Sequence, residues 1–318
     1  MTSARRTIGT SDLSVFPLSL GGNVFGWTAD RDTSFQVLDA YTAAGGNFVD
    51  TADGYSAWVP GNTGGDSERI LGEWFDARGN REDVVLATKV SQHPDFKGLA
   101  ADNIRRAADA SLQRLQSEYI DLYYAHFDDE TVPLEETVAA LSGLVDAGKV
   151  RYIGISNYTP QRVEEWFAIT EREGLHRAIA LQPHYNLVER AYEQNYRPLA
   201  EHYDLGVMPY FALAAGFLTG KYRDGVTVDS ARAGGAAKYL DDTGRSVLAA
   251  LDEVAAAHSA SVATVALAWL AAQPTITAPI ASARTLEQLP DLLASVELEL
   301  SADELDALSG ASQAATAA

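Results

Sequence analysis

Apolar and polar positions along the chain alternate between two periods. Short β-rich runs are followed by longer stretches whose apolar residues recur at helical spacing. The first run, Val15-Phe-Pro-Leu-Ser-Leu20, leaves a small hairpin expected within residues 6 to 20 and ends at Gly21-Gly22. A helix is expected from Thr33 to Ala44, stopped by Gly45-Gly46, and then a strand from Asn47 to Asp50. Ser67 stands where a cap would open a helix to Arg78, and Gly79 where it would close. The alternation continues with strand Val84 to Lys89, helix Ala101 to Leu115 and strand Ile120 to Ala125. The next helix carries Leu134, Val138, Leu141 and Val145 on one stripe, with Gly148 just past its end. Strand Val150 to Ile155 follows, and Pro160 opens a helix to Thr170. Strand Ala178 to Gln182, helix Glu193 to His202 and strand Gly206 to Tyr210 complete the run.

Residues 212 to 241 have no strong period and many Gly and Ala, so they read as a long loop. Helices at 243–258 and 261–272, a strand from Thr275 to Ile280, a short helix at 286–294 and a C-terminal helix at 301–309 end the pattern. Residues Ala311 to Ala318 read as a disordered tail. Eight strands alternating with helices imply a parallel sheet with right-handed crossovers. At this length the closed (β/α)8 TIM barrel is favoured, as one domain over residues 1–318 with an N-terminal hairpin and extra C-terminal helices. The open doubly wound sheet lacks support, because no G-x-G-x-x-G follows an early strand.

Composition narrows the class. The 318 residues contain no cysteine, which removes disulfides and thiolate chemistry, and no metal site is expected. The N-terminus has no apolar run behind its arginines, and the longest apolar run, Val265 to Ala272, is too short for a bilayer. A soluble, cytoplasmic protein is the default expectation. A formal net charge of −20 repels phosphate backbones and argues against a nucleic-acid partner. Much of that charge reads as solvated helix faces. Any anionic ligand would need a local basic pocket.

Four polar residues fall at or just past the ends of predicted strands: Asp50, Tyr55, Lys89 and His126. In a barrel those ends converge on one mouth. Each alone has a structural explanation: a loop acid, a wall aromatic, a surface lysine, a histidine under a loop. Together they form an acid–base device for a carbonyl or alcohol. An ammonium beside a phenol favours the phenolate and lowers its pKa from near 10. Asp50 could hold Lys89 charged, and His126 could bond a substrate oxygen.

Asp50-Thr-Ala-Asp-Gly-Tyr55, Ala87-Thr-Lys89, Asp121-Leu-Tyr-Tyr-Ala-His126, Gly154-Ile-Ser-Asn157 and Leu218-Thr-Gly-Lys221 resemble, in order, the motifs of the aldo-keto reductases. The resemblance covers residues 6 to 310. It implies a (β/α)8 barrel that binds NADP(H) without a Rossmann domain, and a tetrad of Asp50, Tyr55, Lys89 and His126 with Tyr55 as proton donor. It also implies that Ser156, Asn157 and Gln182 bond the nicotinamide carboxamide and that Tyr210 stacks on its ring. Ser156-Asn157 also suit a helix start. The loop after Tyr210, with Leu213, Gly216, Lys221, Arg223 and Arg232, would cover the pyrophosphate. Ser282, Arg284 and Gln288 would hold the adenine end. Phe211-Ala212 replaces the family's common Ser-Pro, Ser282-Ala283 its Gly-Ala, and Leu292 stands near its Asn. Arg and Lys around a 2′-phosphate favour NADP over NAD.

Trp27, Trp58 and Phe127, with Asp128-Asp129, suggest an aromatic wall with acids for aldehydes, ketones and sugar-derived carbonyls as small-molecule partners. The same Trp residues could equally close the barrel mouth, with the acids solvated. Two other function classes are consistent with parts of the pattern. One is a cofactor-holding, channel-subunit-like binding module with slow turnover. The other is a Schiff-base lyase using Lys89 as nucleophile.

Overall fold

The computed structural model describes residues 4–313. Eight parallel strands form one curled sheet: β1 (Ser19–Gly21), β2 (Phe48–Asp50), β3 (Val85–Val90), β4 (Ile120–Ala125), β5 (Val150–Ser156), β6 (Ala178–Gln182), β7 (Gly206–Val207) and β8 (Ile280–Ala281). Neighbours pair in sequence order, and β8 pairs with β1. The ring closes where Thr277 N donates to Val207 O and Ile280 N to Pro209 O. This is the (β/α)8 barrel.

Helices pack around the sheet and on one another, and most of the longer ones bury an apolar stripe. They are α1 (Arg31–Ala43), α2 (Asp66–Arg78), α3 (Ala101–Leu115), α4 (Leu134–Asp146), α5 (Pro160–Glu173), α6 (Ala191–Asn195), α7 (Arg197–His202), α8 (Ala233–Ala237), α9 (Asp242–His258), α10 (Val262–Ala271), α11 (Leu289–Ala294) and α12 (Ala302–Gln313). Short side chains start several of them. Asp30 accepts from Thr33 N, Thr159 from Arg162 N and Asp241 from Gly244 N. The apolar run Val265–Ala272 lies mostly in α10, which is almost wholly buried. Among the described residues no single helix is long and apolar enough to cross a membrane.

The barrel interior is its own small core. Phe48, Ala87, Leu122, Tyr124, Ala180, Met208 and Ala278 pack together there. Tyr124 fits only because Gly154 lies opposite; a Cβ there would sit 2.3 Å from its ring. Ile8, Leu13 and Val15 join this cluster from below. They belong to the N-terminal hairpin, Arg6–Thr7 with Ser14–Val15, which plugs the bottom of the barrel. At its turn Gly9 (φ +50°) runs so close to Ile179 O that a Cβ would lie 2.3 Å away.

Several local expectations are corrected. The first apolar run is interrupted at Phe16-Pro17-Leu18, where proline cannot donate to a ladder, so β1 begins only at Ser19. Ser67 does not cap α2. Gly65 holds the cap position, and the Ser67 hydroxyl instead bonds Thr51 Oγ1 and Gly22 O. The helix expected from Glu193 to His202 is broken at Tyr196, ahead of Pro198. An unpredicted hairpin, Gln92–His93 with Phe96–Lys97, follows β3. The 212–241 segment contains a kinked 3-10 stretch at Ala214–Thr219 as well as α8. Residues 311–313 are helical rather than a tail, and 314–318 lie outside the described residues.

Candidate functional site

Strand parity builds the site. Phe48, Ala87, Tyr124 and Ala180 point into the barrel. Side chains alternate along a strand, so the residue two further on shares that face one level higher. Those residues are Asp50, Lys89, His126 and Gln182, and they meet at the mouth. The register agrees: Asp50 lies opposite Ala87, Lys89 opposite Tyr124, and Gln182 opposite Ser156.

Lys89 is fully buried. Its Nζ donates to Asp50 Oδ1 at 2.6 Å, Thr51 O at 2.7 Å and Tyr55 OH at 3.0 Å. All three of its protons are therefore placed. Gln182 Nε2 donates to the other Asp50 oxygen at 2.9 Å. Burial opposes the charge on Lys89, but Asp50 and Tyr55 outweigh it and hold the amine above its ordinary value. An ammonium so held is no Schiff-base nucleophile, which needs a free neutral amine.

Burial pushes the Asp50 carboxyl up, while Lys89 and Gln182 pull it back toward the ionised form. For Tyr55 the sequence-level expectation is corrected. Lys89 does favour the phenolate, but burial is the larger effect, so the phenol lies above its usual range and keeps its proton. Burial, and then Lys89, hold His126 well below the ordinary histidine value, so its ring is neutral. Its Nδ1 is buried without a partner, which leaves Nε2 for the cavity.

The remaining polar residues form a chain along the same rim. Ser156 Oγ donates to Gln182 O. Asn157, in left-handed backbone (φ +56°), donates to His126 O and Ser156 Oγ and accepts from Tyr210 OH at 2.8 Å. Their amides and hydroxyls are thus largely spent on one another. Tyr210 stacks on His184, with centroids 5.2 Å apart. A cavity of about 300 Å³ is lined by Asp50, Tyr55, His126, Asn157, Gln182 and Tyr210, among others.

Through Leu213 and Ser282 this cavity adjoins a second one of about 470 Å³. Gly216, Lys221, Arg232, Arg284 and Gln288 line it. Burial and the neighbouring arginines lower the Lys221 ammonium, and burial and Arg284 lower the Arg232 guanidinium. Among the described residues none of these three cations has a carboxylate oxygen within 4.0 Å. Arg232 instead donates to Asn23 Oδ1, which also accepts from Ser282 Oγ. Sequence reasoning missed Asn23, although a polar residue just past a strand end was the available signal. Arg223 does not join the cleft, because it pairs with Asp252 at 2.7 Å.

The comparisons with known proteins decide the family. Residues 17–313 match the model of the Aldo/keto reductase family. The chain belongs to that family. An uncharacterized oxidoreductase, YrpG, of Bacillus subtilis is 36% identical, over 92% of this chain and 91% of its own. Norsolorinic acid reductase B of Aspergillus parasiticus is 33% identical, over 96% and 83%. A probable voltage-gated potassium channel subunit beta of Oryza sativa is 35% identical, over 92% and 91%. The chain is an oxidoreductase of the aldo-keto type.

The mouth of this aldo-keto reductase is aromatic. Trp27 and Trp58 meet edge to face at 5.5 Å, and Trp58 leans on Tyr55 at 6.3 Å. Trp58 is 53% exposed, Phe211 48% and Phe127 42%. The two acids beside Phe127 each have protein partners. Arg162 clamps Asp128 through two bonds, and Asp129 accepts from Leu99 N and Thr131.

Proposed function

We propose that this chain reduces aldehydes and ketones to alcohols with NADPH, and that Tyr55 delivers the proton. The observation that carries the reading is the single Lys89 Nζ that touches both Asp50 and Tyr55 beneath the cavity. Bound NADPH would supply a hydride to the carbonyl carbon. Tyr55 gives up its proton to the carbonyl oxygen, and Lys89, held by Asp50, stabilises the phenolate left behind. His126 donates a hydrogen bond from its neutral ring to the same oxygen.

The cofactor fits the cleft that adjoins the cavity. Three cations without carboxylate partners among the described residues suit phosphates, and two of them are guanidiniums, which grip phosphate in two-point fashion. Lys221, Arg232 and Arg284 would hold them, with Ser282 and Gln288 beside Arg284 and with Leu213 and Gly216 forming the floor. Ser156, Asn157, Gln182 and Tyr210 would take the nicotinamide end, where their mutual bonds must be traded for bonds to it. For substrate, Trp27, Trp58 and Phe127 offer ring faces. With Asp128 and Asp129 committed elsewhere, apolar and aromatic carbonyl compounds fit this wall better than sugar-derived ones.

The test is Tyr55→Phe with NADPH and a panel of aromatic, aliphatic and sugar aldehydes. Reduction should fall by about a thousandfold, within the usual range for losing a general acid, while cofactor binding persists. Full activity would sink the assignment. A second reading rests on the rice channel-subunit relative: a barrel that retains NADPH and turns over slowly. Slow release of bound cofactor together with a turnover far below one per second would favour it.

A further inference from the structure

We propose that Asp53 is a positioning residue for the Lys89–Tyr55 pair, acting together with Glu68 and Arg114. The inference rests on the reading of Tyr55 as proton donor given above. Asp53 lies two residues before Tyr55 and is fully buried. Beyond β2 the chain keeps pairing with β3: Thr51 N donates to Ala87 O, and Asp53 N to Lys89 O at 3.1 Å. The Asp53 side chain finishes this ladder. Its Oδ2 accepts from Ser91 N at 3.3 Å, at the point where the lysine strand turns away with Ser91 at φ +114°. Asp53 thus ties the tyrosine loop to β3 on both sides of the position after Lys89. The 3.0 Å contact between Lys89 and Tyr55 spans the two segments that it joins.

Behind Asp53 lies a closed charge cluster. Glu68 on α2 is fully buried, accepts from Thr88 Oγ1 at 2.6 Å and pairs with Arg114 on α3 at 2.7 Å. Tyr123 on β4 and His93 on the hairpin after β3 complete the titratable surroundings. Burial, and then Asp53 and Glu68, keep the Tyr123 phenol protonated, and burial and Arg114 keep the His93 ring neutral. Two buried carboxyls therefore lie within electrostatic range of one guanidinium, which pairs with Glu68, and the cluster is neutral only when one carboxyl carries a proton. Glu68 has the ion pair, whereas Asp53 Oδ1 has no partner. The proton belongs on Asp53. Burial and the Glu68 charge raise that carboxyl to about 7.

The test compares Asp53→Ala, Asp53→Asn and Tyr55→Phe in the full chain, with NADPH and an aromatic aldehyde. Asp53→Ala should lose about tenfold in kcat, with cofactor Kd and aldehyde KM within about twofold, because an opened Lys89–Tyr55 contact affects the reacting geometry and not binding. Asp53→Asn keeps an acceptor for Ser91 N and no charge, so it should recover kcat to within about threefold of wild type.

Thermal melting gives a readout independent of turnover. The folded Asp53 carboxyl holds its proton above its unfolded value of 3.8, so its contribution to stability is greatest below that value and is lost as pH rises through about 7. Asp53→Asn should remove that part of the decline in Tm between pH 5 and 8. The proposal is overturned by a folded Asp53→Ala with kcat within about twofold of wild type. It is overturned equally by a folded Asp53→Asn that loses about tenfold or more in kcat although it keeps the acceptor for Ser91 N, a comparison that serves even if the alanine variant does not fold; melting with the wild-type pH dependence would remove only the proton assigned to Asp53. Tyr55→Phe separates the failures. Activity retained there rejects the proton-donor reading, whereas an inactive Tyr55→Phe beside a fully active Asp53→Ala rejects only the role of Asp53.

Discussion

At the Tyr55 end of the cleft the buried cation, Lys89, has a carboxylate at 2.6 Å and all its donors placed. At the other end Lys221, Arg232 and Arg284 repel one another without a carboxylate of the described residues within 4.0 Å, although Glu287 and Asp291 line the same cavity. The first region rests on barrel strands whose register is set by the core below it. The second rests largely on the 212–241 segment and on the turn after β8. A site that must hold reacting atoms within tight tolerances gains from being self-satisfied and rigid. A site that grips an anion gains from charge that only the anion satisfies. Lysine occurs in both, and its neighbours decide whether its charge is matched by a carboxylate, as at Lys89, or left among other cations, as at Lys221.

That contrast breaks most sharply at Lys89. Lys89→Met leaves Asp50 as a buried carboxyl with only Gln182 as partner. Removing one member of a buried pair costs about 3–5 kcal/mol, so urea unfolding should show a loss of that size. Restoring neutrality with Asp50→Asn in the same chain should return much of it. If Lys89→Met is as stable as wild type, the pair is not the preorganised unit described here.

The anion end should respond in binding and hardly in stability. Arg284→Ala removes a charge-assisted contact of about 1.5–3 kcal/mol, so NADPH should bind about ten- to a hundredfold more weakly. NADH should weaken much less if the guanidinium serves the 2′-phosphate, and the ratio of the two Kd values is the measurement. An equal loss for both cofactors would place Arg284 on the pyrophosphate instead. A clear preference of wild type for NADH would remove the NADP assignment.

How far each region was legible in the sequence follows the same divide. The barrel and the set Asp50, Tyr55, Lys89 and His126 could be read from strand ends, because period-two alternation and convergence at the mouth are properties of the backbone. What lay beyond was the balance of forces on a side chain. Lys89 beside Tyr55 suggested a lowered phenol, but its depth, set by elements distant in sequence, reverses the sign. Asp128 looked free for substrate because Arg162, far along the chain, could not be seen to reach back, and Asp129 because neither Leu99 N nor the turn at Thr131 could be placed beside it. Arg223 looked like a phosphate ligand until its partner Asp252 was placed. Short-range signals erred in the same way: Ser67 has a cap's chemistry, but tertiary partners claim its hydroxyl.

Proton inventory at the chemical end yields a milder effect. Burial keeps Tyr55 protonated above the ordinary phenol range, and His126 is neutral from well below the ordinary imidazole value. In the reductive direction kcat should therefore stay level between about pH 6 and 9, since neither group changes state there. Any fall should begin only above the usual phenol value near 10. Stopped-flow or saturating steady-state rates across that range are the check. A descending limb centred near pH 8 would mean that Lys89 wins over burial at Tyr55.

The smallest expected effect lies at the rim, where neither self-satisfaction nor stored charge applies. Trp58 is half exposed and is held by edge contacts to Trp27 and Tyr55. Aromatic pairs of that kind are worth about 0.5–1.5 kcal/mol beyond area burial. Trp58→Ala should thus raise KM for an aromatic aldehyde by about two- to twelvefold and leave kcat within about twofold, because ring stacking holds ground and transition states alike. A short aliphatic aldehyde, with no ring to stack, should show little change. If kcat falls instead and KM does not move, the indole acts through its contact with Tyr55, and the rim belongs to the rigid chemical end after all.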